Sequence, residues 1–267
     1  MFPDLLHIGP FQIHAYGFMM TLAFIAAILI SVYRAKKVGL DPGLIWDVSL
    51  VIMLSSLVGS RLTYVFTHID EFRHNWFSII NPIQADGRIG IAGMVLLGGV
   101  VLASISTAVF VRRRKLSFWV FSDIIAPALA LGIGIGRLGC LANGCCYGAP
   151  TDVWCGIVFP EDSVAGSYFP HTHLWPTQIF SVLWGLTLFA GLWFAERWKS
   201  FDGYTFSLFL IFYSIFRILI DTIRVYEESD ILIHTDTIRI TFSQGVSGIL
   251  LLVGVYFFVR LRKAKYS

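Results

Sequence analysis

The sequence predicts an all-α integral membrane protein of about seven transmembrane helices, with the N-terminus outside the cytoplasm and the C-terminus inside. The first observation behind this is composition: 56% of the residues are apolar and only 14% charged, with a mean hydropathy of +0.73. A soluble domain carries about 25% charged residues, and no soluble core absorbs such an apolar excess. Second, seven largely apolar stretches approach the roughly 17–25 residues that a helix needs to cross a hydrocarbon core. Third, the lysines and arginines between them alternate in density, and short cytoplasmic loops carry the excess.

In chain order, the segment Ile8-Gly9-Pro10-Phe11-Gln12-Ile13 reads as a short amphipathic element at the outer interface. Met1 to Gly17 lacks a basic n-region and a small-residue cleavage site, so it is expected to stay on the mature protein. The spans follow at about Tyr16 to Tyr33, Ile45 to Phe66, Ile89 to Val111, Phe118 to Leu141, Gln178 to Ala195, Tyr204 to Ile223 and Val246 to Val259. One side of the membrane receives Arg34, Lys36 and Lys37, then Arg112, Arg113, Arg114 and Lys115, then Arg197 and Lys199, and finally Arg260, Arg262, Lys263 and Lys265. Every lysine is in that set, so that side is cytoplasmic. The longer loops, at about 67–88, 142–177 and 221–244, then face outward, and chemistry is expected there. Residues 1–267 read as a single polytopic membrane domain. The net charge of +3 reports this topology and gives no nucleic-acid patch.

Ionisable groups inside spans cost about 2.5–3.5 kcal/mol on insertion scales and so need partners, a wet cavity or a route to the interface. Asp47 and Asp123 fall near the cytoplasmic ends of their spans and read as interfacial. Arg61 reads as snorkelling outward. Arg137 and Arg217 sit in the outer halves of the fourth and sixth spans and outnumber nearby acids. Their planar donor forks suit a phosphate or carboxylate. Asp221, four residues beyond Arg217, is placed to neutralise one of them, and Tyr213, four residues before it, shares its face.

The run Leu131 to Gly139 contains a literal G-x-G-x-x-G, but without a preceding strand it is no dinucleotide site. Gly132 and Gly136 instead have the spacing for close helix packing, and the adjacent Gly98 and Gly99 admit the same reading. Cys140, Cys145, Cys146 and Cys155 cluster at the outer end of the fourth span. In an oxidising setting one or two disulfides come first, with Cys155 as partner for Cys145 or Cys146. Free thiols follow, and then a metal site with His171 and His173 as further ligands.

The fourth span and its exit, Gly136-Arg137-Leu138-Gly139-Cys140-Leu141-Ala142-Asn143-Gly144-Cys145-Cys146-Tyr147-Gly148, resemble the G-R-x-G-N-x-x-N-G-E-x-x-G signature of the prolipoprotein diacylglyceryl transferase family. Ile8 to Phe11 with Tyr16-Gly17, Gly59-Ser60-Arg61-Leu62-Thr63-Tyr64, Gly93 to Gly99, Pro176-Thr177-Gln178, Tyr213 to Arg217 and Ser243-Gln244-Gly245 resemble its other segments in order. The resemblance implies seven transmembrane helices in the bacterial inner membrane. It also implies transfer of the diacylglyceryl group of phosphatidylglycerol to the lipobox cysteine of a preprolipoprotein, without a cofactor or metal, releasing glycerol phosphate. Arg137, Arg217 and Tyr213 would be catalytic, with Arg137 holding the headgroup phosphate. Asn143, Tyr16, Arg61, Gly98 and Gly99 would bind substrate.

The chain departs from the family pattern at the acid–base positions. Leu97 stands where many members carry His, Cys140 replaces the signature Asn, Cys145 its Glu, and Ser181 a usual Glu. A second reading follows from these changes, namely a relative that binds or transports phospholipid, or handles thiols, without transferring.

Overall fold

The computed structural model describes residues 4–8, 11–72, 95–226, 231–234 and 239–266. Strands β1 (Asp4–Ile8) and β2 (Phe11–His14) lead into α1 (Ala15–Lys37), α2 (Gly43–Thr67), the short α3 (Ile69–Phe72), α4 (Leu96–Arg113) and α5 (Phe118–Asn143). Then come β3 (Ile157–Val158), α6 (Val164–Tyr168), β4 (His173–Leu174), α7 (Thr177–Ala195), α8 (Tyr204–Asp221), β5 (Ile231–His234), β6 (Arg239–Thr241) and α9 (Phe242–Tyr266). Seven helices are long and apolar enough to cross a membrane: α1, α2, α4, α5, α7 with the 3-10 turn that follows it, α8 and α9. Large apolar side chains lie exposed along them, such as Leu50, Leu54 and Leu57 on α2 and Ile249 and Leu252 on α9. An apolar girdle on so many helices is stable against lipid and not against water, so the chain is a multi-pass membrane protein.

Five of the expected spans agree with helices to within a few residues. The seventh, α9, is 25 residues long and begins before the expected Val246, because Ser243, Gln244 and Gly245 are helical. For the third span, residues 89–94 lie outside the described residues, as do Gly93 and Met94 of the expected motif and most of the 67–88 loop. The amphipathic element at the start is a β-hairpin, with Ile8 opposite Phe11 and Asp4 opposite His14. Its connecting Gly9 and Pro10 also lie outside the described residues. The 221–244 loop carries a second antiparallel hairpin, β5 with β6.

The chain forms two compact units, residues 32–121 and residues 1–31 with 122–267. In the first, α2 and α4 pack through small residues. A Cβ on Gly98 would come within 1.9 Å of Thr63 Oγ1 and 2.5 Å of the Gly59 carbonyl, and one on Gly99 within 2.3 Å of Ser60 Oγ. Only hydrogen at both positions permits that approach. Asp47 pairs with Arg114 at 3.1 Å, both half exposed, and Arg61 lies over the rings of Tyr64 and Phe72 at 5.7 and 5.3 Å.

The second unit holds the larger core, where Ala126 and Ala130 of α5, Leu188 and Leu192 of α7, and Phe209 and Leu210 of α8 are buried together. At the crossing of α5 and α7, a Cβ on Gly185 would lie 2.6 Å from the Gly134 Cα. Gly136 and Gly139 face α1 instead, against Met20 and against Met19 and Tyr16. Asp123 proves to be buried within the protein. Its carboxylate accepts hydrogen bonds from the backbone N–H groups of Gly203 (2.8 Å) and Phe206 (2.9 Å) and pairs with Lys199 at 3.0 Å. It therefore caps the start of α8 from a different helix, supplying acceptors that the first turn lacks in its own sequence.

Candidate functional site

Helix α5 ends at Asn143 because Gly144 takes φ +68°. The reversal is a Schellman closure, with the Cys145 N–H donating to the Cys140 carbonyl at 3.1 Å. That bond folds the loop back over the last helical turn. Cys140, Cys145 and Cys146 are thereby gathered with their Sγ atoms within 4.8 Å of one another. Thr177 and Gln178, at the start of α7, hold the loop in place. Thr177 Oγ1 donates to the Cys146 carbonyl (2.7 Å) and Gln178 Nε2 to the Cys145 carbonyl (2.8 Å).

All four cysteines are free thiols in the structure, and Cys155 does not join the three-sulfur group. The histidines of the alternative metal set are also elsewhere: His171 pairs with Glu161 at 2.9 Å, and His173 is an exposed residue of β4 opposite Val158. Hydrogen bonds from Cys140 and Cys145 hold the Cys146 thiol well below its usual range, and Arg224 and Arg137 act in the same sense against burial.

After the cysteines, Gly148 and Ala149 exchange backbone hydrogen bonds with Trp175 on one side, and Ala149 bonds to Ile223 on the other. The stretch beyond α8 is thus held beside the loop, which brings Arg224 and Tyr226 to the site. Arg137, Tyr213 and Arg217, the three expected catalytic residues, line one narrow cleft together with Ser181, Trp184 and Phe216. Trp184 and Phe216 stack at 5.0 Å. Ser181, at the position of the family Glu, is buried and donates to the Thr177 carbonyl at 2.7 Å.

The two arginines differ in their partners. Arg217 donates from Nε to Ser243 Oγ (2.8 Å) and from Nη2 to Tyr226 Oη (3.1 Å), and it pairs with Asp221 at 3.4 Å. Arg224 donates to Tyr226 Oη (2.8 Å) and lies 3.6 Å from the same carboxylate. Tyr226 in turn donates to Asp221 Oδ1 at 2.6 Å. Burial pushes the Tyr226 hydroxyl up to about 12, against the pull of Arg224 and Arg217. Among the described residues no side chain hydrogen-bonds or ion-pairs with Arg137. One buried carboxylate therefore pairs with two guanidinium groups, Arg217 and Arg224.

Beside this lies a cavity of about 160 Å³ lined by Asp221, Arg224, Tyr226, Arg239, Thr241 and Gln244. Arg224, Tyr226 and Arg239 were not singled out from the sequence. The available signal was the i, i+3 spacing of Asp221 and Arg224, which continues the ladder begun by Arg217. Of the other expected residues, Tyr16 packs against Gly139 and interacts electrostatically with the three cysteines and Arg137, and Asn143 is the last residue of α5. Arg61, Gly98 and Gly99 belong to the other unit.

The chain matches the family model described as prolipoprotein diacylglyceryl transferase over residues 3–260. It is 33% identical, over 80% of its length and 79% of the relative's, to a Clostridium perfringens protein named phosphatidylglycerol–prolipoprotein diacylglyceryl transferase 2. It is similar to proteins named phosphatidylglycerol–prolipoprotein diacylglyceryl transferase in Bordetella avium, with 34% identity over 83% of this chain and 81% of the relative, and in Clostridium tetani, with 28% over 97% of each.

Proposed function

The chain belongs to the prolipoprotein diacylglyceryl transferase family, and on that premise we propose that it moves the diacylglyceryl group of phosphatidylglycerol onto the lipobox cysteine thiol of a preprolipoprotein at the bacterial cytoplasmic membrane. The observation that carries this is the cleft shared by Arg137, Tyr213 and Arg217, in which the Arg137 fork is left for a ligand. A thiolate displacing a phosphate ester from carbon needs cations aimed at the departing oxygen, and preorganised donors there are worth more than donors that must reorient.

In this reading Arg137 binds the headgroup phosphate. Arg217, already oriented by Ser243, Tyr226 and Asp221, meets the charge that develops as the ester oxygen leaves, and Tyr213 hydrogen-bonds beside it. The sulfur–carbon bond forms while the carbon–oxygen bond breaks, and glycerol phosphate departs with the bonding pair. Asn143 and Tyr16 flank the headgroup, and Arg61, Gly98 and Gly99 contribute to substrate binding. The basic last turns of α1, α4 and α9 support an orientation with the C-terminus cytoplasmic. The C-terminal end of α5 and its cysteine loop then lie on the outer side.

The test is rescue of cells depleted of their own diacylglyceryl transferase, with conversion of phosphatidylglycerol and a lipobox peptide to a thioether lipopeptide by the purified chain. The wild type is expected to do both and Arg137→Ala neither. A protein that is made, inserted and inactive in both assays would overturn the transferase reading in favour of a lipid-binding or thiol-handling relative, which the cysteine cluster itself favours.

A further inference from the structure

A nucleophilic thiol has to lose its proton, and the position where the family resemblance offers a histidine is Leu97, which cannot accept one. The cysteine loop carries an unused chemistry that fills this role. We propose that Cys140, Cys145 and Cys146 form a three-thiolate site for a thiophilic divalent ion of the Zn²⁺ class, whose open fourth position takes the substrate cysteine and makes it the nucleophile. This rests on the transferase reading above and specifies how that site activates its thiol.

Three observations converge. The three Sγ atoms lie within 4.8 Å of one another. Tetrahedral coordination at about 2.3 Å puts sulfurs about 3.8 Å apart, so side-chain rotation alone closes the set. The backbone that carries them is fixed independently of any ion, by the Schellman bond at Gly144 and by the Thr177 and Gln178 side chains on the Cys146 and Cys145 carbonyls. The donor set is all sulfur, which selects thiophilic ions over magnesium or calcium.

Among the described residues no fourth His, Cys, Asp or Glu completes the group. Three protein ligands with one place free is the arrangement of catalytic zinc, whereas structural sites close with four. A thiol bound at that place gives its proton to solvent, because metal coordination deprotonates thiols outright. Its sulfur then forms the bond to the glyceryl carbon, and the carbon–oxygen pair leaves on the phosphate as described.

The experiment uses the purified full-length chain in detergent, with Co²⁺ as a spectroscopic probe. One equivalent is expected to give a thiolate-to-cobalt charge-transfer band that Zn²⁺ displaces and that Cys140→Ser and Cys146→Ser weaken. A lipobox peptide is expected to strengthen the band by about one third as three sulfurs become four, and its serine analogue to leave it unchanged. Chelation is expected to slow transfer about 10²–10⁴-fold, the usual worth of assisted deprotonation. The wild-type titration alone suffices should the serine variants misfold. No cobalt band, a band indifferent to the peptide thiol, or a disulfide among the three cysteines in active protein would each overturn the proposal. Undiminished transfer after chelation would overturn it too while leaving the transferase reading intact. A peptide-responsive band without thioether product would uphold the metal site and sink the transferase reading instead.

Discussion

Asp221 is the point on which the arginine cluster turns, and its charge can be removed with almost no change of shape. The side chain is fully buried, with Arg217 at 3.4 Å and Arg224 at 3.6 Å. At an effective dielectric of about 20, each pair carries roughly 5 kcal/mol of gross attraction. Asp221→Asn keeps an oxygen for the Tyr226 hydroxyl and abolishes both attractions, leaving the Arg217 and Arg224 guanidinium groups uncompensated. Breaking a buried pair in this way costs about 3–5 kcal/mol net. At about 2–4 °C per kcal/mol for a chain of this size, the melting temperature falls by roughly 10 °C. The assay is thermal unfolding in detergent, with Asp47→Asn as the comparison, since its pair with Arg114 is half exposed and worth at most about 1 kcal/mol. Added phosphatidylglycerol should stabilise Asp221→Asn more than wild type, because an anionic headgroup substitutes for the lost carboxylate. Equal melting of the two variants, or equal lipid stabilisation of Asp221→Asn and wild type, would refute the picture of a cluster held together by one charge.

Gly185→Leu forces apart α5 and α7, because the new Cβ alone would sit 2.6 Å from the Gly134 Cα and 3.1 Å from the Ala130 carbonyl. Overpacking of this kind costs about 1–3 kcal/mol or more, so melting should fall and phosphatidylglycerol binding should weaken with it; an unshifted melt would mean that the crossing is not tight. The Tyr226 hydroxyl, pushed up to about 12 by burial, binds its proton more tightly folded than unfolded. Its contribution to stability is therefore complete below the unfolded value of about 10 and is lost as the pH climbs toward 12. Melts between pH 9 and 11.5 should show a decline that Tyr226→Phe reduces.

The spans were legible because the hydrocarbon core imposes length and polarity on each helix separately, so a local window sees the whole cause. Arg137, Arg217 and Tyr213 were legible for a related reason: an arginine in an apolar helix is conspicuous whatever surrounds it. The capping role of Asp123 was not legible because its partners lie at Lys199, Gly203 and Phe206, far along the chain. The cysteines show the same limit. Their types and their place at the end of the fourth span were readable, but the grouping of Cys140 with Cys145 and Cys146 depends on a backbone reversal at Gly144 that spacing does not specify. Arg224 and Tyr226 were overlooked because they belong to a loop whose path is decided by hydrogen bonds to Tyr147 and Ala149.

The carboxylate of Asp123 also imposes an order on biosynthesis. When α5 first enters the bilayer, Lys199 and the amides of Gly203 and Phe206 have not yet been translated, so the helix arrives before these three partners exist. At typical synthesis rates of about 5–20 residues per second, the eighty positions from Asp123 to Gly203 correspond to several seconds of waiting before the cap can form. The arrival of α8 ends the wait and locks the two helices in register.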